Sequence, residues 1–110
     1  MGTIVAHVEV SVPIFFLKDD GEVIAYSPMF RLYGIGNNDD SAVDNFKKHL
    51  KKFFEFHTKN KTLPYKMAAL GWKPFRGNEM APPDNIDIPA HLLGVKGNFR
   101  KERVSVPKYA

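Results

Sequence analysis

The chain has no cysteine. That excludes a disulfide framework, a Cys-based zinc site, an iron–sulfur cluster and a thiol nucleophile together, so rigidity must come from packing. Long apolar runs are also missing. The longest, Val12 to Leu17, contains Pro13 and falls far short of the ~20 residues that span a bilayer. The N-terminus has no basic region followed by an apolar run, and Ala6 stands where a myristoylation pattern needs Ser or Thr. A cytoplasmic protein without membrane attachment is expected. What is present, 110 residues with 44% hydrophobic and 13% aromatic content, is enough for one domain with a real core.

Charge is modest in sum and uneven in place. The net +4 divides into −4 over residues 1–42, +5 over 43–66 and +3 over the remainder. The basic middle segment holds seven lysines, among them Lys47, Lys48, Lys51 and Lys52. Such a run attracts polyanions or forms a solvated helix face, and the second reading is the commoner one.

Hydrophobic periodicity sets out the elements. Even positions from Ile4 to Phe16 are apolar, while the odd ones include His7, Glu9, Ser11 and Pro13, which is the period of a half-buried strand. Pro13 donates no hydrogen bond and belongs at an edge or a bulge. Asp20-Gly21 signals a hairpin, Glu22 to Ser27 a return strand, and Met29 to Ile35 a third strand after Pro28. Asn38 caps a helix whose first turn carries Asp39 and Asp40, where the helix dipole favours negative charge. That helix runs to about Lys59. Its wheel gathers Ala42, Val43, Phe46, His49, Leu50, Phe53, Phe54, Phe56 and His57 into an arc of roughly 160° and sets Lys47, Lys48, Lys51 and Lys52 opposite.

Asn60 is the expected left-handed stop, Thr62 the cap of a second helix from Leu63 to Leu70, and Gly71 its end. Trp72 to Phe75 reads as a short strand. Residues 77–110 then form an extended tail rich in turn formers, with a helical turn at Ala90 to Leu93 and a last strand from Arg100 to Tyr109. The expected fold is α+β: a small, mostly antiparallel sheet in the order β-β-β-α-α-β with one long helix on one face. Residues 1–76 make the α+β body, and the tail belongs to the same globular unit.

Asp20-Gly21, Ala25-Tyr26-Ser27-Pro28, Gly34-Ile35-Gly36, Asp44-Asn45-Phe46 and Leu70-Gly71-Trp72, in this order of elements, resemble the HicB antitoxin family, of the kind without a recognisable DNA-binding domain. The resemblance spans residues 4–75. It implies a fold like a truncated ribonuclease H and a non-catalytic protein that binds and silences a HicA-like toxin by occlusion. Leu32-Tyr33-Gly34-Ile35 departs from the Leu-Pro-Gly-Cys turn common in that family. The tail shows no pair of amphipathic helices, so operator binding is not expected.

Candidate chemistry is sparse. Two-metal catalysis on a ribonuclease H scaffold needs several carboxylates converging from strands, and only Glu9 lies in a strand interior. The four histidines show no HxxxH spacing, and Gly34-Ile35-Gly36 lacks the rest of a phosphate loop. No cofactor or metal is expected. Two further readings stand beside the antitoxin. One is a stand-alone, self-associating domain, a homodimer to which Val104, Val106 and Tyr109 contribute. The other is nucleic-acid contact through Lys47, Lys48, Lys51 and Lys52, although base-stacking aromatics are not expected on that face. The protein incubated with RNA or DNA and Mg²⁺ or Mn²⁺ is expected to release no product, and turnover abolished by Glu9→Gln would contradict this.

Overall fold

The computed structural model describes residues 7–74, 80–83 and 99–107. The elements run in the order β1 (His7–Asp19), β2 (Glu22–Ser27), β3 (Leu32–Gly36), α1 (Asp39–Lys59), α2 (Leu63–Ala69), β4 (Lys73–Pro74), β5 (Met80–Ala81) and β6 (Phe99–Pro107). The main sheet has the order β3-β2-β1-β6, and every pairing is antiparallel. β4 and β5 form a separate two-stranded ribbon. One long helix covers one face of the sheet, so the α+β architecture is as expected from the sequence. Among the described residues no helix is long and apolar enough to cross a membrane.

β1 serves two ladders laid end to end. Phe15 to Asp19 pair with β2, and His7 to Phe15 pair with β6. Pro13 therefore lies two residues beyond the last β1–β2 pair, where its missing N–H breaks no bond to β2. The β1–β2 hairpin closes through Asp20 and Gly21, both with positive φ (53° and 82°), the two-residue turn whose twist matches the strands. The third strand begins later than its apolar pattern implies. Pro28 to Arg31 form the connecting turn, with Arg31 at φ 55°, so Met29 and Phe30 are not strand residues. Their side chains are instead buried at 8% and 1% exposure, beneath the C-terminal half of α1.

α1 starts in a full capping box. The Ser41 N–H donates to Asn38 Oδ1 (2.8 Å) and the Asn38 N–H donates to Ser41 Oγ (3.1 Å). At the other end Lys61, at φ 58°, takes the left-handed conformation expected of Asn60, whose φ is −89°. Gly71, at φ 93°, ends α2 as expected. Ala42, Val43, Phe46, Leu50 and Phe54 face the sheet and are buried. Phe56 does not: it is 61% exposed, because it lies at the margin of the apolar arc and near the end of the helix, past the sheet.

The core runs from Val12, Ile14 and Phe16 on β1 through these helix residues to Trp72. Phe30 stacks on Trp72 (5.1 Å between ring centres) and meets Phe54 edge-on (5.6 Å). The Trp72 indole N–H donates to the Met29 carbonyl (3.0 Å), which satisfies the one polar atom that the buried ring brings with it.

Contact between helix and sheet is closest at β3. A Cβ at Gly34 would fall on the backbone of Phe46 and Ala42, and one at Gly36 on Ser41 and Ala42. The obstructing atoms are mainly backbone, so no rotamer change relieves the clash. Gly34→Ala is expected to cost about 3 kcal/mol as an overpacked contact, readable as a lowered urea midpoint with unchanged slope.

Candidate protein-binding surface

Three surfaces carry the chain's exposed chemistry, and each arises from a local element. The first is an open depression of about 650 Å³ at one end of the sheet, lined by residues 18–23 of the hairpin, 37–40 at the start of α1, and Arg100. The hairpin turn and the helix cap both favour carboxylates, and the topology brings their two sets together. Among the described residues, Asp19, Asp20, Glu22, Asp39 and Asp40 share this rim with only Lys18 and Arg100. In the sequence each acid is explained by its own turn or cap; their convergence depends on β3 returning the chain to the hairpin end.

Arg100 organises the inner side of the rim. Its Nη2 donates to Asp40 Oδ1 (3.0 Å), and its Nε lies 3.0 Å from Glu102 Oε2 as a close ion pair without hydrogen-bond alignment. Glu102 Oε1 in turn meets Lys47 Nζ at 3.2 Å. The guanidinium also sits 5.3 Å from the centre of the Phe16 ring. The hydrogen bond to Asp40 holds the Arg100 guanidinium still more firmly protonated than usual, against a smaller opposing effect of burial. Asp40, Arg100, Glu102 and Lys47 thus form a chain of charges joining α1 to β6. Its members are mostly solvent-exposed, so each link contributes at most about 1 kcal/mol.

The second surface is the lysine face. Lys47, Lys48, Lys51 and Lys52 are all exposed, as their wheel positions require. Of the four, Lys47 is tied to Glu102. Two aromatic rings near the far end of α1 are also exposed, Phe56 at 61% and Tyr65 on α2 at 78%.

The third is the chain's last described strand. β6 pairs with β1 from Phe99 to Pro107 and buries Val104 (5% exposed) and Val106 (0%) against the chain's own core. These two residues, expected at a self-association contact, find their apolar surroundings within the chain, because the alternation of β6 turns them toward α1. Tyr109 lies outside the described residues, as do Phe75 and the helical turn expected at Ala90 to Leu93.

The histidines divide by environment. His49 is exposed, and its Nδ1–H donates to the Tyr33 carbonyl (2.7 Å). The neighbouring Ile35 N–H donates to Asn45 Oδ1 (2.9 Å). Ile35 and Tyr33 are the β3 residues whose outward backbone groups would otherwise form an open sheet edge, so α1 closes that edge with side chains. His57 packs edge-on to Phe53 (4.7 Å) and Phe56 (5.0 Å) and holds Thr62 Oγ1 at 2.7 Å from its Nδ1. Thr62 therefore clamps the junction of α1 and α2 rather than capping α2, whose first amides receive no side-chain bond. Glu9 is exposed and meets Arg103 at 3.4 Å. Among the described residues, no group of three His, Asp or Glu side chains is placed to hold a metal ion.

No family model matches the chain, and no curated protein or solved structure matches it.

Burial, and secondarily the charge of Lys66, lowers the His57 pKa from its ordinary 6.5. The unfolded chain then binds this proton more readily than the folded one, so stability falls as pH drops below about 6.5 and levels off below the folded pKa. Urea melts at pH 7.5 and 5.0 are expected to show a larger loss for the wild type than for His57→Gln.

Proposed function

We propose that this chain is a non-catalytic, HicB-like domain that binds a small basic protein, of the HicA-like toxin kind, and silences it by occlusion. The observation that carries this reading is the acidic rim. On a protein of net charge +4, five carboxylates meet at one concave end of the sheet, a surface complementary to a cationic partner. The order of elements and the Asp44-Asn45-Phe46 motif support the HicB-like part of the reading. Asn45 there anchors α1 to the edge of β3 through the Ile35 amide. Occlusion needs no covalent step, and the scarcity of converging carboxylates in strand interiors is in keeping with a binding role. A cytoplasmic site of action belongs to the same reading.

A second reading is favoured by one observation. Phe56 stands exposed four residues from Lys52 and three from Lys59 on the same helix, so a basic surface with an aromatic ring is present after all. That combination suits single-stranded nucleic acid, where bases stack and phosphates meet lysines. A stand-alone role without a toxin is the third.

Co-expression with a HicA-like protein encoded in the neighbouring reading frame is expected to restore growth and yield a co-purifying complex. Asp20→Asn with Asp39→Asn, both exposed, is expected to weaken that complex about tenfold and to flatten its salt dependence. Absence of any complex, together with salt-sensitive binding of an oligonucleotide that Phe56→Ala reduces, would favour the nucleic-acid reading instead.

A further inference from the structure

The face of the main sheet turned away from α1 is apolar across three strands. The register sets Leu17 opposite Ile24 and Ile24 opposite Ile35, and in the next row Tyr26 opposite Tyr33. Side chains alternate along a strand, so these residues share the side opposite to Val12, Ile14, Phe16 and Ala25. Tyr33 is 53% exposed, Ile35 42%, and Leu17, Ile24 and Tyr26 are half-buried. Single exposed apolar residues are ordinary on any surface, but two contiguous cross-strand rows are not.

Charge on this side of the sheet is sorted by end. Asp19, Asp20 and Glu22 stand at the hairpin end, whereas Arg31 in the β2–β3 turn and Arg103 on β6 stand toward the opposite one, all exposed. Glu9 offsets part of the Arg103 charge at 3.4 Å, and Lys101 adds another base on the same strand. Other routes to self-association are narrowed by the fold. The β3 edge is closed by Asn45 and His49, and Val104 and Val106 are spent on the internal core, which leaves the outer edge of β6 as the competing route, one that the Tyr33 and Ile35 substitutions would not affect.

We infer that this face docks on the same face of a second copy, turned end for end about a two-fold axis lying between the sheets and across the strands. That operation lays the apolar rows on each other and each acidic hairpin end over the partner's basic end. Packing with like ends together would set acid on acid. The contact is isologous, and two sheets stacked about 10 Å apart is the ordinary geometry of a β-sandwich. From the strand spacing and rise, the apolar rows alone cover roughly 200 Å² in projection and, with the charged ends that flank them, roughly 450 Å², which side-chain relief brings to the small end of stable interfaces. A reversible dimer is therefore expected. The inference goes beyond the toxin reading: Asp19, Asp20 and Glu22 belong both to the depression and to the acidic end of this face, whereas Tyr33 and Ile35 do not line the depression, so their substitution tests the dimer alone.

The full chain, without any partner, is followed by sedimentation equilibrium from low to high micromolar concentration. The wild type is expected to pass from monomer to dimer across that range. Tyr33→Glu with Ile35→Glu is expected to raise the dissociation constant tenfold or more, roughly the loss of one central anchor, with unchanged circular dichroism. Should that variant fail to fold, Tyr33→Ser with Ile35→Ser is the milder replacement. Asp19→Lys with Glu22→Lys is expected to weaken the dimer, and adding Arg31→Glu and Arg103→Glu to the same chain to restore it. A wild type that stays monomeric throughout would overturn the inference. So would a dimer indifferent to the Tyr33 and Ile35 substitutions, or a monomer in which both side chains are shielded by another part of the same chain. Toxin binding would remain open in each of those outcomes.

Discussion

The backbone of α1 lies directly against the backbone of β3, with no side chain between them at Gly34. Everything on the helix side of the sheet is positioned by that approach. Because a Cβ at Gly34 has nowhere to go, the helix sits low enough for Asn45 and His49 to reach the outward N–H of Ile35 and the carbonyl of Tyr33. The strand that would otherwise be an open edge is thereby finished by side chains from the helix above it. An edge closed in this way removes one route to strand addition, at β3, while β6 forms the other edge of the sheet.

The same approach fixes the ends of the molecule. β3 delivers the chain back beside the β1–β2 hairpin, and Asn38 starts the helix there, so the carboxylates of a turn and of a helix cap come to share one rim. Arg100, brought in by β6 from the far end of the sequence, links that rim to Glu102 and Lys47. At the other end of α1, the ring cluster of Phe30, Phe53, Phe54 and Trp72 holds the β2–β3 turn beneath the helix, and His57 with Thr62 fastens the second helix to the first. The two ends differ in character: one is acidic and concave, the other aromatic and basic.

The described surfaces differ in chemistry. The acidic rim suits a cationic partner and the apolar outer face suits a flat one, while the lysine side of α1 stays solvated apart from the Lys47 link.

Local chemistry by itself determined the elements. Alternation wrote β1 and β6, Asp20-Gly21 with its tolerance of positive φ marked the hairpin, and Asn38 with Asp39 and Asp40 announced the start of α1, because in each case the deciding forces act between residues close along the chain. The long helix on one face of an antiparallel sheet was legible for the same reason, since only one stripe of α1 is apolar. Tertiary structure alone decided the rest. Met29 and Phe30 read as strand by composition but fold into a turn, because the space under α1 accepts their side chains and the ladder with β2 ends at Ser27. Phe56 falls inside the apolar arc yet is exposed, since a wheel records direction and not how far the sheet extends. Val104 and Val106 had the pattern of a strand seeking a partner, and whether that partner is β1 or another molecule is a question of chain return, which no local period encodes. The acidic rim and the outer apolar rows likewise arise from strand register, where residues distant in sequence meet, and that is why neither was visible in the sequence.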